Sequence, residues 1–395
     1  MDFDDTEEER AFRAEAYAWL SANAELRTTE ERSHSLDEDA ELLAAVKGWQ
    51  RTRAEAGWAG ITWPIEFGGR GLSGVHQAVF DQEQAKFDVA HGPLMVGLAM
   101  VGPTLIAHGT PEQQERYLGP LLRGDEVWCQ LFSEPEAGSD LAGLRTTAVE
   151  DGDEFVVNGQ KVWTSGAQYS DWGILLVRTD LDVPKHRGIT YLVVDMRSPG
   201  IEVRPLAQIT GVAHFNEVFL TDVRIPKANV IGEVNGGWGV TMTTLNNERS
   251  AIGGGRSGAT WPALVELARE TGGDRDPVAR QELAKAYTRI QVLRYLGLRA
   301  QTARSQGLPL GPEASVMKLL ISRHSSELGD LVLGLLGAGG MLDDEWTSTF
   351  LNQWSIRIGG GTDQVQRNAI GERTLGLPAE ARADKGIPFR DTLRR

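Results

Sequence analysis

Cys129-Gln130-Leu131-Phe132-Ser133-Glu134-Pro135-Glu136-Ala137-Gly138-Ser139-Asp140 is the stretch that decides how this chain reads. Its companion, about twenty residues on, is Lys161-Val162-Trp163-Thr164-Ser165-Gly166. Pro135 and Gly138 bar a regular strand or helix and force a tight loop. Ser133, Ser139 and the loop N–H groups supply small hydrogen-bond donors. Trp163 falls in a strand-like run just after Asn158-Gly159, which reads as a turn. Small donors beside a Trp on a rigid strand suit a flat, polar heteroaromatic ring: the indole offers a face for stacking and the hydroxyls bond the ring edge. That pattern points to a flavin.

Working outward, residues 4–127 read as helical, with Phe12, Ala16, Trp19 and Leu20 at helical spacing. Thr110-Pro111-Glu112-Gln113 is a helix start, with an N-cap, a first-turn Pro and a Gln three residues after the cap. From about residue 128 the character changes to short β-rich runs at Phe155–Val157, Lys161–Thr164, Gly173–Arg178, Ile189–Asp195, Ile201–Arg204 and Glu217–Ile225. Asp151-Gly152, Asn158-Gly159 and Pro199-Gly200 punctuate them, the spacing of a small antiparallel barrel or sandwich. Helical periodicity returns from Gly237, over Trp238–Ser257, Trp261–Thr271, Pro277–Ser305, Glu313–Leu336 and Thr362–Leu375. The expected domains are 1–127, helical; 128–235, β; and 236–395, a helical bundle with a polar tail.

The 395 residues fit ~2–3 domains. A net charge of −15 with no basic run excludes nucleic acid and anionic membrane as partners. Cys129 is the only cysteine, so no internal disulfide can form and a reducing compartment is expected. Asp2-Phe3-Asp4-Asp5 opens the chain, the opposite of a basic targeting peptide, so the expectation is cytoplasmic. The apolar stretches Leu94–Ala107 and Leu331–Leu342 are too short to span a bilayer. No metal is expected.

The three-part layout and the two opening motifs resemble the acyl-CoA dehydrogenase family over essentially the whole chain. Further matching segments follow in order: Gly57-Trp58 with Trp63-Pro64-Ile65-Glu66-Phe67-Gly68-Gly69, Phe215-Asn216-Glu217-Val218-Phe219, Asn235-Gly236-Gly237-Trp238, and Gly360-Gly361-Thr362-Asp363-Gln364-Val365-Gln366-Arg367. The resemblance implies an α+β fold with an N-terminal helical domain, a middle antiparallel β-barrel and a C-terminal helical bundle. It implies FAD as cofactor and oxidation of an acyl-CoA thioester between its α and β carbons. A carboxylate removes the α-proton while donors stabilise the enolate oxygen, and the β-hydrogen leaves as hydride to the flavin.

Carried over residue by residue, Trp163 flanks the flavin, Ser165 bonds near it, and Gln130, Phe132, Ser133, Gly138 and Ser139 line the same half of the site. Ser139 also lies near the pantetheine of the substrate. Thr362 opens a helix whose N-terminus faces the FAD pyrophosphate, with Gln364 alongside. Many family members carry the catalytic base where this chain has Gly360. Others, isovaleryl-CoA and long-chain acyl-CoA dehydrogenases among them, carry it on an earlier helix just before an Arg. Leu245-Asn246-Asn247-Glu248-Arg249 matches that second pattern, which assigns the base to Glu248 and leaves Gly360 to offer its N–H to the thioester oxygen. Asn246 and Arg249 become CoA contacts.

The contacts that family tetramers donate across a subunit boundary are depleted here. The Arg-x-x-Phe-Gly element after the Glu248 helix is missing, and Leu333 stands where a Gln is usual; Gln281 remains as one candidate contact. The expected assembly is a homo-oligomer, dimer or tetramer; the depletion also resembles the mixed two-by-two tetramers of actinobacterial acyl-CoA dehydrogenases, which stay open as the alternative. An electron-transfer flavoprotein is the implied electron acceptor. Two rival readings stay open: a flavin monooxygenase on the same fold, and a partner subunit with little activity of its own.

Overall fold

Thr6 caps the first helix reciprocally: Glu9 N–H donates to its hydroxyl at 3.2 Å, and its own N–H donates to the Glu9 carboxylate at 2.7 Å. In this computed structural model, residues 5–27, 40–90, 92–254, 261–305 and 313–392 are described. Helix α1 (Glu7–Asn23) buries Phe12, Ala16 and Leu20, one residue per turn. They join Trp58, Val79 and Phe80 in one apolar cluster. Around it lie α2 (Ala40–Glu55), α3 (Gly74–Gln84) and a short ribbon of β1 (Glu25–Leu26) and β2 (Phe87–Asp88).

The apolar run near Leu94 becomes a π-helical turn, Val96–Val101, leading into α4 (Gly102–His108). Pro103 has no N–H to return to Ala99, so the helix widens there. Helix α5 (Pro111–Arg123) has the cap its sequence predicts, with Thr110 and Gln113 each bonding the other's backbone N–H. Gln113 then turns its amide onto the Ala228 and Val230 carbonyls at 2.7 and 2.8 Å, tying α5 to the β region.

That region is one curled sheet of seven strands among the described residues. They are β3 (Trp128–Leu131), β4 (Thr147–Asp151), β5 (Glu154–Ser165), β6 (Trp172–Arg178), β7 (Ile189–Asp195), β8 (Ile201–Leu206) and β9 (Phe215–Pro226). The order is β3-β6-β4-β5-β9-β8, with β7 on the other edge of β6. Pairing is mostly antiparallel, as the hairpin signals predict. β3 and the start of β4 share one edge of β6 in parallel. β6 and β7 are buried along nearly their whole length, which explains why they read as unbroken apolar runs.

Asn158-Gly159 is not the turn its sequence suggests. β5 runs straight through it, with a register shift between Val157 and Gly159. A Cβ at Gly159 would sit 2.4 Å from Thr146 Oγ1, so the glycine admits a close strand approach. Asn158 and Asp222 lock the bulge with two hydrogen bonds, of 3.0 and 2.9 Å. The hairpin turn lies earlier, at Gly152 between β4 and β5, with φ +62.

Contacts divide the chain into two units. The first holds 1–208, 212–247 and 382–395; the second holds 209–211 and 248–381. Helix α6 (Gly237–Gly254) begins in the first and ends in the second. The second unit continues with α7 (Trp261–Glu270), α8 (Pro277–Ser305), α9 (Glu313–Leu336), α10 (Glu345–Ile358) and α11 (Asp363–Arg373). Residues 255–257 of the expected Trp238–Ser257 helix lie outside the described residues. α10 has no counterpart among the expected helices: Thr347, Ser348 and Thr349 dilute its signal. The Asp344 cap, which accepts from Thr347 N–H at 2.8 Å, marks its start. No helix among the described residues is long and apolar enough to cross a membrane.

Candidate active site

The Phe132–Thr146 loop is built around one carboxylate. Glu134 and Ala137 exchange backbone hydrogen bonds of 3.1 and 3.0 Å across Pro135-Glu136, a tight turn with Pro in its second position. The Glu134 side chain then accepts from Arg145 N–H at 2.6 Å and Thr146 N–H at 3.0 Å, closing the base of the loop. Lys161 on β5 is fully buried and donates to Glu134 Oε1 at 2.8 Å and to the Phe132 carbonyl at 3.1 Å. Burial alone would raise the Glu134 pKa, but Lys161 and the two N–H groups outweigh it and hold the carboxyl below its ordinary value. Burial also pulls the Lys161 ammonium down, against the pull of Glu134. Neither residue stands out in the sequence as part of the site. The signal was present, because a Glu inside the loop motif and a Lys between Gln160 and Val162, two residues before Trp163, both need partners if the strand is buried there.

Val162 N–H donates to the Ser133 carbonyl at 2.9 Å, which fastens the loop beside Trp163. Trp163 has φ +61 and sits where β5 and β9 shift register between Lys161 and Thr164. A left-handed φ is costly for a bulky residue, and such residues gather at functional sites. The bulge turns the indole outward: Trp163 is 60% exposed, with the Phe215 ring edge-on at 5.8 Å. Ser165 ends the same strand and is exposed. Gly166, φ +67, follows because a Cβ would meet the Tyr169 hydroxyl at 2.6 Å.

Of the expected site residues, the first unit therefore brings together Phe132, which is buried, half-buried Gln130 and Ser133, and exposed Trp163 and Ser165 on adjoining strands and loop. Gly138 and Ser139 lie exposed on the far arm of the loop. Asn246 is exposed on α6.

The second unit carries the other group. Gly360 and Gly361 have φ +63 and +88 in succession, a path open to glycine. Gln366, 2% exposed, donates its amide to both of their carbonyls at 3.2 and 3.4 Å. Thr362 caps α11 by accepting from Val365 N–H at 3.2 Å. Asp363 behind it is buried, bonded to Arg357 at 3.0 Å, and leaves Oδ1 without a partner. Lys318 is buried in the same unit, donating to the Ile356 carbonyl at 2.6 Å. Gln364 on α11 and Gln281 on α8 are exposed. Glu248 is half-buried on α6. Arg249 lies on the same helix, and its side chain is outside what is described.

An exposed indole on a strained strand, flanked by hydroxyl-bearing Ser133 and Ser165, fits the face and edge of a flavin. A double-glycine turn before a capped helix fits a phosphate.

Acyl-CoA dehydrogenase family models match in three consecutive pieces: the N-terminal domain over residues 6–125, the middle domain over 129–223 and the C-terminal domain over 235–375. The chain belongs to the acyl-CoA dehydrogenase family, oxidoreductases that carry FAD. It is 41% identical over 350 residues to acyl-CoA dehydrogenase IpdE1 of Mycobacterium tuberculosis, covering 87% of this chain and 90% of that one. Among solved structures, the Tcur3481-Tcur3483 steroid ACAD superposes with a TM-score of 0.80 at 31% identity, over 96% of this chain and all of that one. The ChsE4-ChsE5 complex from Mycobacterium tuberculosis follows, with a TM-score of 0.77 at 30% identity and coverage of 96% and 100%.

Proposed function

We propose that this enzyme oxidises a bulky acyl-CoA to its trans-2-enoyl-CoA, with Glu248 as the base. The observation that carries the reading is a trade between two positions. Gly360 has no side chain to take a proton, and Glu248 is a half-buried carboxylate on α6 within Asn246-Asn247-Glu248-Arg249. Thr244, one turn earlier on α6, is fully buried and bonded to Thr104 at 2.9 Å and to Tyr191 at 3.1 Å. That hydroxyl trio fixes the helix one turn before the base.

In this reading Glu248 takes the α-proton and the Gly360 N–H steadies the enolate oxygen. FAD, held by the residues named next, would supply the hydride acceptor for the β-hydrogen. Trp163, Ser133 and Ser165 hold the flavin ring, with Gln130, Phe132 and Gly138 beside them. Thr362 and Gln364 serve its pyrophosphate. Ser139, Asn246 and Arg249 serve the CoA. The bare Gly360 leaves room beside the α carbon for a branched or fused-ring acyl group, in line with the steroid ACAD among its structural relatives. An electron-transfer flavoprotein takes the electrons on.

The test is anaerobic titration of the flavin-loaded protein with straight-chain, branched and steroid-side-chain acyl-CoAs. Bleaching of the flavin absorbance by the bulky thioesters is expected. Absence of bleaching by every one of them would sink the reading.

We also infer an oligomer that shares FAD contacts between subunits, with Gln281 among them. Leu333 in place of a Gln favours a second, different chain as donor of the missing contacts, as does the structural relative described as the ChsE4-ChsE5 complex. One tightly held FAD per subunit in a homo-oligomer of the purified chain would defeat the mixed assembly.

A further inference from the structure

The last described residues, 382–392, turn back onto the first unit as a strap. Phe389 is 3% exposed, and its N–H donates to the Val183 carbonyl at 2.9 Å. Arg390 N–H donates to the Leu181 carbonyl at 3.0 Å, and its side chain pairs with Asp182. The strap thus lies along the β6–β7 connection, residues 179–188.

Two cations lead from the strap to the Phe132–Thr146 loop. Arg178, 2% exposed, stacks its guanidinium 3.9 Å from the centre of the Phe389 ring. The same guanidinium donates to the carbonyls of Ala142 at 2.6 Å, Leu144 at 3.3 Å and Lys185 at 2.5 Å. Its Nε is buried without a partner, so the group depends on the ring and those carbonyls. Lys185 pairs with Asp384 of the strap and donates to both Asp140 oxygens at 2.8 and 2.7 Å. Asp140 directly follows Ser139, and its carbonyl accepts from Gly143 N–H at 2.8 Å.

The loop therefore has two anchors. Glu134 and Lys161 fix its base beside the flavin residues. Arg178, Lys185 and the strap fix its outer arm, residues 139–144. We propose that the strap positions this outer arm for acyl-CoA, with Arg178 and Lys185 as positioning residues for substrate rather than for flavin. The proposal rests on the reading of Ser139 as a substrate contact.

The test uses Phe389→Ala in the full chain loaded with FAD. Flavin per subunit should match the parent. KM for the acyl-CoA that best bleaches the parent should rise about tenfold, with kcat within about threefold, the loss of one such contact. Amide exchange over residues 140–144 should rise about tenfold or more, while residues 132–134 stay protected. Lys185→Met should reproduce the KM rise and Lys185→Arg should reverse it; this pair carries the test if Phe389→Ala does not fold. Unchanged KM and unchanged exchange would overturn the proposal. So would a loss of flavin equal to the loss of substrate affinity, because the strap would then be general scaffolding. If no acyl-CoA bleaches the parent flavin, the functional reading fails by itself, and the exchange pattern still decides whether the strap holds the arm.

Discussion

Lys161 and Glu134 meet at 2.8 Å with both side chains buried, and that ion pair holds the base of the Phe132–Thr146 loop to strand β5. Two buried charges repay their desolvation only when every remaining lone pair and proton is bonded. Here the Phe132 carbonyl accepts a second proton of Lys161, and the N–H groups of Arg145 and Thr146 each donate to one Glu134 oxygen.

Breaking the pair should cost both fold and cofactor. Lys161→Met leaves Glu134 buried and unpaired, a loss of about 3–5 kcal/mol. Urea unfolding and FAD per subunit measure the two effects. A variant as stable as the parent would remove the pair from the account.

The pair also sets a pH dependence. Glu134 is held below its ordinary pKa in the fold, so the folded state favours its ionised form. Its stabilisation is complete above the unfolded value and is lost as pH falls through the lower folded value. Glu134→Gln should be less stable than the parent near neutral pH, and the gap should narrow toward about pH 3. Urea midpoints measured across that range check the sign, and a gap that widens on acidification would contradict it.

Trp163 makes the opposite separation. Because it is 60% exposed, Trp163→Ala should change stability by only about 0.5 kcal/mol. Removing the stacking surface should weaken FAD about tenfold to a hundredfold. Trp163→Gly, which suits φ +61, should gain about 1 kcal/mol of backbone relief while still losing flavin. Equal FAD affinity in the parent and Trp163→Ala would return the indole to an ordinary surface role.

Much of this was legible in the chain, and the misses have physical causes. Caps at Thr110 and Thr362, the helical periods of α8 and α9, and the β-rich middle were readable because each depends on local sequence. Asn158-Gly159 misled because a bulge and a hairpin turn ask for the same residues. β3 and β4 went unread because pairing makes them strands rather than local alternation: β3 lies against β6, and β4 lies against β5 with only its first residue reaching β6. Lys161, Glu134, Arg178 and Phe389 were invisible as a set: their meaning comes from contacts between segments as much as about 210 residues apart, which no local pattern encodes.

The assignment of the base predicts a specific loss. Glu248→Gln preserves volume and removes the carboxylate, so flavin should stay bound while turnover falls by ~10²–10⁴. Stopped-flow bleaching under anaerobic conditions measures the step directly. A variant that bleaches at nearly the parental rate would clear Glu248 of the role.

Gly360 then offers a test of shared geometry. Placed in the Glu248→Gln background, Gly360→Glu restores a carboxylate at the position used by other family members. The gain carries a cost that the sequence does not show: φ is +63 at residue 360, and a side chain there costs about 1–2 kcal/mol. The double variant should therefore unfold at a temperature a few degrees lower, yet recover part of the bleaching rate with straight-chain thioesters. Branched thioesters should recover less, because the new side chain fills the space that glycine leaves. If the double variant holds FAD and recovers nothing with any chain length, the two positions do not serve one α carbon. The bare glycine must then be explained by the backbone path of the Gly359-Gly360-Gly361 turn rather than by the shape of the substrate.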